Sequence, residues 1–182
     1  MTRTANDTKG VKRAAQTLAV FALVALLAGC SLLPRGGQTA AAAIRQAKSI
    51  PGSTVSVLSG GAYDGLQKHN SIIVSITIEP GFHVQNLEKL VDFLIRLGWS
   101  VNNNRPGRDL LIGIDSPAPI DAVAAAKGAG WKSASSLSDV SPGVFIDLKE
   151  AQKRLGRWPG KVPATPAGLV AKDPVSPDTS TQ

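Results

Sequence analysis

The chain reads as an α+β protein, a two-layer sandwich with helices on one face of a mixed β-sheet. Three observations predict this. Ser71 to Ile78 alternates with a period of two and sets Ile72, Val74, Ile76 and Ile78 on one face, the pattern of a half-buried strand. Val84, Leu87, Leu90, Val91, Leu94 and Ile95 recur at helical spacing, leaving Glu88, Lys89, Asp92 and Arg96 on the opposite side. Strand patterns of this one-sided kind interleave with amphipathic helices, and a sheet with one apolar face needs a single covering layer.

The elements follow in order. Ala40 to Ser49 is rich in strong helix formers and stops before Pro51-Gly52. Thr54 to Leu58 alternates as a strand, and Ser59 to Asn70, with Gly60, Gly61 and Gly65, reads as a loop closing a hairpin onto the strand at Ser71. The clearest helix spans about His83 to Leu97, with Gly98 as its stop, and Trp99 to Asn102 starts an extra strand. After a turn at Asn103 to Gly107, Leu110, Ile112 and Ile114 line another strand. Pro119 opens an Ala-rich helix ending at Gly128 and Gly130. Val144 to Leu148 is a last strand, and Lys149 to Leu155 a short final helix stopped by Gly156. Leu97-Gly98-Trp99 and Ala129-Gly130-Trp131 repeat a helix, Gly-Trp, turn, strand order, which sets both indole rings as lids where helix meets sheet.

Flanking segments bound this domain at 40–158. Residues 159–182 contain five prolines among Ser, Thr, Ala and Gly, too little apolar surface to offset ordering entropy, so a disordered tail is expected. Residues 30–39 read as a short tether. Residues 1–29 have the three parts of an export signal: Arg3, Lys9, Lys12 and Arg13, then an apolar run centred on Leu18 to Leu27, then small residues. That run is shorter than the roughly 20 apolar residues of a spanning helix.

The run ends in Leu27-Ala28-Gly29-Cys30, and Cys30 is the only cysteine in the 182 residues. This tetrapeptide resembles the lipobox of bacterial lipoproteins. The resemblance implies recognition by a dedicated signal peptidase through Leu27, Ala28 and Gly29, cleavage before Cys30, and diacylglyceryl transfer to its thiol. It implies a mature chain anchored in the lipid bilayer at the extracytoplasmic face of the cell membrane. Two acyl chains suffice for stable anchoring, each buried methylene adding about 0.8 kcal/mol. The order α-β-β-α-β over 40–115 is also similar, in topology alone, to small BON-type or ferredoxin-like envelope modules.

Removing the signal changes the charge reading. The whole chain carries a formal +7, but from Cys30 onward 16 Lys and Arg stand against 12 Asp and Glu. A net +4 permits association with anionic lipid or wall polymers. No Lys/Arg block marks a nucleic-acid surface.

Catalytic patterns are not found in the sequence. His69 and His83 are the only histidines, and neither belongs to a zinc-ligand array. There is no Gly-x-Ser-x-Gly elbow and no Ser-x-x-Lys pair. Gly128-Ala129-Gly130 closes a helix and does not follow a strand, unlike a dinucleotide loop. No catalytic residue, metal site or cofactor is therefore expected, and an enzyme is not. The expected function is a non-catalytic envelope interaction module, contacting an envelope protein or anionic polymer through the loops around Tyr63 and Asn102 to Arg108. The alternative is a binder of a small apolar or lipidic ligand held between helices and sheet.

Overall fold

The computed structural model describes residues 36–64, 67–107, 109–138 and 141–174. The signal, the lipobox with Cys30 and the first part of the tether lie outside them, as do Arg108 and residues 175–182. Among the described residues four helices and seven strands follow one another. They are α1 (Ala40–Ala47), β1 (Ser53–Asp64), β2 (Gln67–Ile78), β3 (Phe82–Val84), α2 (Leu87–Ser100), β4 (Asp109–Asp115), α3 (Ala122–Gly128), β5 (Ser135–Ser138), β6 (Ser141–Asp147), α4 (Leu148–Leu155) and β7 (Val170–Lys172). The α+β class and the mixed sheet agree with the sequence reading.

The main sheet has the order β1-β2-β4-β6-β5, with β2 and β4 parallel and the other neighbours antiparallel. Its register stacks the alternating residues into rows. Val57, Val74, Ile112 and Val144 lie side by side across four strands, as do Ile72, Leu110 and Ile146 across three, and all are buried. The parallel β2–β4 pair needs a crossover, which α2 supplies. Helix α2 seats so closely that a Cβ on Gly98 would lie 2.6 Å from Leu110 Cδ1 and 2.9 Å from Val74 Cγ2. Only glycine fits that approach. The opposite sheet face carries Leu58, Ile73, Leu111 and Phe145 in one row, with Leu58 62% exposed.

Each helix begins on a side chain that accepts a backbone N–H otherwise left unpaired. Thr39 caps α1, Asn86 α2, Asp121 α3 and Asp147 α4. The caps explain two shifts of boundary. Asn86 starts α2 after His83, which instead lies in β3, and Asp121 starts α3 two residues after Pro119. Trp99 is inside α2, and the chain beyond it makes only a parallel bridge from Val101 to Gln38. The Gly-rich stretch expected to be a loop belongs to the long β1–β2 hairpin, whose pairing runs to Asp64 and Gln67. β5 was not legible, being a short Ser-rich edge strand.

The largest departure concerns the segment after α4. Residues 159–174, expected to be part of a disordered tail, lie along the domain as a strap. The Gly160 N–H donates to Trp99 O at 3.0 Å, and Gln46 Nε2 donates to Pro163 O. Leu169 O accepts from Gln85 N at 2.9 Å, and Val170 to Lys172 pair with β3 as a second, two-stranded sheet. Leu169 is 2% exposed and Val170 4%. Proline-rich composition lowers the entropy the strap loses on ordering, and two aliphatic side chains with backbone pairing hold its far end. Leu169→Ala should therefore cost about 2–4 kcal/mol in urea unfolding. A change under about 0.5 kcal/mol would mean that the strap is not part of the folded unit.

Candidate functional site

Helix α2 is buried at Leu90, Val91, Phe93, Leu94, Ile95 and from Leu97 to Ser100. Sheet, neighbouring helices and strap enclose most of it, and Glu88, Lys89 and Arg96 remain exposed, with Asp92 half-buried between Lys89 and Arg96. A groove of about 470 Å³ opens along Lys89, Asp92 and Arg96, between α2, the end of α4 and the strap. Its apolar walls are Phe93, Trp99, Leu155, Val162, Pro163 and Pro166, and its charged groups are Lys89, Arg96, Arg154, Lys161 and Asp92.

The groove is built around two tryptophans. Trp131 is fully buried, and its Nε1 donates to Asp92 Oδ1 at 3.0 Å. Arg96 Nε donates to the other Asp92 oxygen at 2.6 Å, from one turn further on. Arg154 covers the indole with its guanidinium carbon 3.9 Å from the ring centroid, and donates to Ala129 O at 3.0 Å. A cation over an indole face is attracted by the ring quadrupole. Trp99 Nε1 donates to Gly156 O at 3.2 Å, and a Cβ on Gly160 would meet Trp99 Cδ1 at 2.5 Å. Trp99 therefore fixes where the strap leaves α4. Asp92 is committed to Trp131 and Arg96, so the open charges of the groove are positive. Lys89 and Lys161 have no ion-pair partner among the described residues.

Behind Arg154, Glu150 holds the turn that follows Trp131. Its carboxylate accepts from Lys132 N at 2.8 Å and Ser133 N at 2.7 Å. Burial alone would raise the pKa of this carboxyl. Bonds from the Ser133 side chain and from the Ser133 and Lys132 amides, with the charge of Arg154, outweigh it and bring the pKa below its ordinary 4.5.

The residues singled out in the sequence are scattered. Cys30 and its recognition residues Leu27, Ala28 and Gly29 lie outside the described residues. Tyr63 is in β1; in the stretch after Val101, Asn103 Oδ1 accepts from Ala40 N at 2.9 Å at the start of α1, while Asn103, Asn104, Arg105 and Gly107 are exposed, and Arg108 lies outside the described residues. His69 lies in β2, and His83 in β3 faces Asp173 at 2.7 Å in an exposed pair. Gly130, at φ 88°, ends α3, and its N–H donates to Lys127 O at 2.8 Å. Among the described residues no group of three or more His, Cys, Asp or Glu is placed to hold a metal ion. Between helices and sheet, where a ligand cavity was the alternative expectation, Leu90, Leu94, Val74 and Ile112 are fully buried, and no strand residue lines the groove. Sequence reasoning missed the groove because the strap was read as a tail. The basic cluster Lys153, Arg154, Arg157 and Lys161 was the signal available.

Searches against protein-family models, curated proteins and solved structures find no match to this chain.

The pKa shift of Glu150 sets a pH dependence. A depressed carboxylate pKa adds stability that is complete above the unfolded value and is lost as pH falls through the folded value. At neutral pH, Glu150→Gln should cost roughly 1–2 kcal/mol, the scale of a charged hydrogen bond. The difference from wild type should shrink as pH drops below about 4.5. Chemical denaturation across pH 3–7 reads this, and a constant gap would contradict it.

Proposed function

We propose that the chain is a lipid-anchored protein of the bacterial cell envelope, whose folded domain is a non-catalytic interaction module. One observation carries the reading. The chain's only cysteine closes an apolar run as Leu27-Ala28-Gly29-Cys30 behind a basic start, and the unit that holds the sheet and helices begins a few residues later, at Gly36. The spacing suits a cleaved signal, a short leash and a domain held near the membrane. Its partner is an envelope protein or an anionic lipid or wall polymer, for which the cationic groove offers a surface. No cofactor enters this reading.

Binding of a small apolar or lipidic ligand is the second reading, and the groove's volume, within the usual range for ligand sites, is what favours it. The groove's open cations direct it toward anionic ligands.

The anchor is tested by intact mass and by metabolic labelling with a fatty acid. Wild-type protein should lose residues 1–29, gain the mass of the acyl chains and partition with membranes. Cys30→Ser should take up no label and accumulate as uncleaved precursor. An unmodified Cys30 on an intact chain would overturn the proposal.

A further inference from the structure

The geometry points to a docking surface for anionic phospholipid headgroups, formed by Arg154, Arg157 and Lys161 beside the point where the tether joins the domain. This inference rests on the lipid-anchor reading and names the partner of the domain's cationic face. Two independent observations carry it, the placement of charge and the placement of the tether.

Charge comes first. Residues 149–161 hold five Lys and Arg and one acid, Glu150, so this segment alone matches the net +4 of the chain from Cys30 onward. Glu150 is turned onto the Lys132 and Ser133 amides, which leaves Arg157 and Lys161, both exposed, without an opposing carboxylate of their own. Across the groove, Asp92 is held by Trp131 and Arg96. Arg154 and Lys161 line the groove together with Lys89, and Arg157 lies between Arg154 and Lys161 in the chain.

Tether placement then aims this surface. Gly37 packs so tightly on Pro159 that a Cβ there would lie 2.7 Å from Pro159 Cβ, and the Ser100 carbonyl blocks it further. Gly37 takes the required φ of 85° without strain. Pro159 is two residues from Arg157 and two from Lys161. Six Cα steps separate Cys30 from Gly36, a span of at most about 22 Å. A diacylated Cys30 therefore holds this corner of the domain within reach of the headgroups of its own membrane. The attraction of each basic residue to an anionic leaflet falls off within a Debye length, about 10 Å at moderate salt. An envelope protein or wall polymer would not need the cations clustered at the tether.

The test uses the mature chain, residues 30–182, with Cys30→Ser, so that binding does not depend on acylation. Its fold is checked by circular dichroism. Co-sedimentation with phosphatidylcholine vesicles should be negligible, and adding phosphatidylglycerol should produce binding that high salt removes. Arg157→Ala with Lys161→Ala should lower that binding roughly 25-fold, about fivefold for each cation. Lys127→Ala with Lys172→Ala removes the same charge elsewhere and should change it less than about threefold. Equal losses in the two pairs would overturn the surface, reducing it to net charge. Equal binding to both vesicle types would overturn it as well. Absence of binding to either would overturn it and leave the cationic face to a protein or wall polymer. Inorganic phosphate at matched ionic strength should not compete; selective competition would assign the groove to free phosphate instead. Failure of the anchor itself is read separately, from the mass of Cys30 in the wild-type chain.

Discussion

The burial of α2 on nearly every side is the constraint on which the rest of this fold depends. A helix with one apolar stripe needs only a sheet beneath it, but α2 buries residues around most of its circumference. Gly98 lets it sink onto β2 and β4, and its other flanks must then find cover elsewhere. α3, α4 and the strap provide that cover. Trp99 and Trp131 are the bulky side chains through which the cover is fixed, each with its indole N–H bonded. A buried indole without that partner would lose part of what its area gains.

From this constraint the groove follows directly. It lies along a strip of α2 that the covering elements leave open, where a polar side chain occurs on every turn: Lys89, Asp92 and Arg96. The strap closes one wall, α4 the other. Because Asp92 offsets Arg96 and accepts from Trp131, the cations left without an ion pair along the groove, among the described residues, include Lys89 and, from the strap, Lys161. The same step that completes the core therefore shapes the electrostatics of the surface. The strap has a second effect, since its first residues pack on Gly37 and so hold the start of the domain beside the basic cluster.

Much of the architecture was legible in local pattern. β2 and β4 alternate strictly, so their inward faces were read correctly from Ile72 to Ile78 and from Leu110 to Ile114. The outward side of α2 was read as Glu88, Lys89, Asp92 and Arg96, and three of the four are exposed. Misreadings fell where local propensity was overruled by partners distant in the chain. Gly60 and Gly61 are strand residues because β2 pairs with them. Trp99 continues a helix past Gly98 because that glycine is required by the sheet below it. Residues 159–174 are ordered because Trp99, Gln46 and Gln85 bind them from elements far earlier in the chain.

The sequence by itself determined the fold class and the faces of the central strands and helix. These are properties of spacing and of residue type, which a short window contains. Tertiary structure alone decided that the proline-rich segment is a strap, that Asp92 belongs to Trp131, and that the basic residues beyond α4 meet those of α2. Each depends on which side chains meet across long separations, and that is set by how the described residues together satisfy the burial of α2.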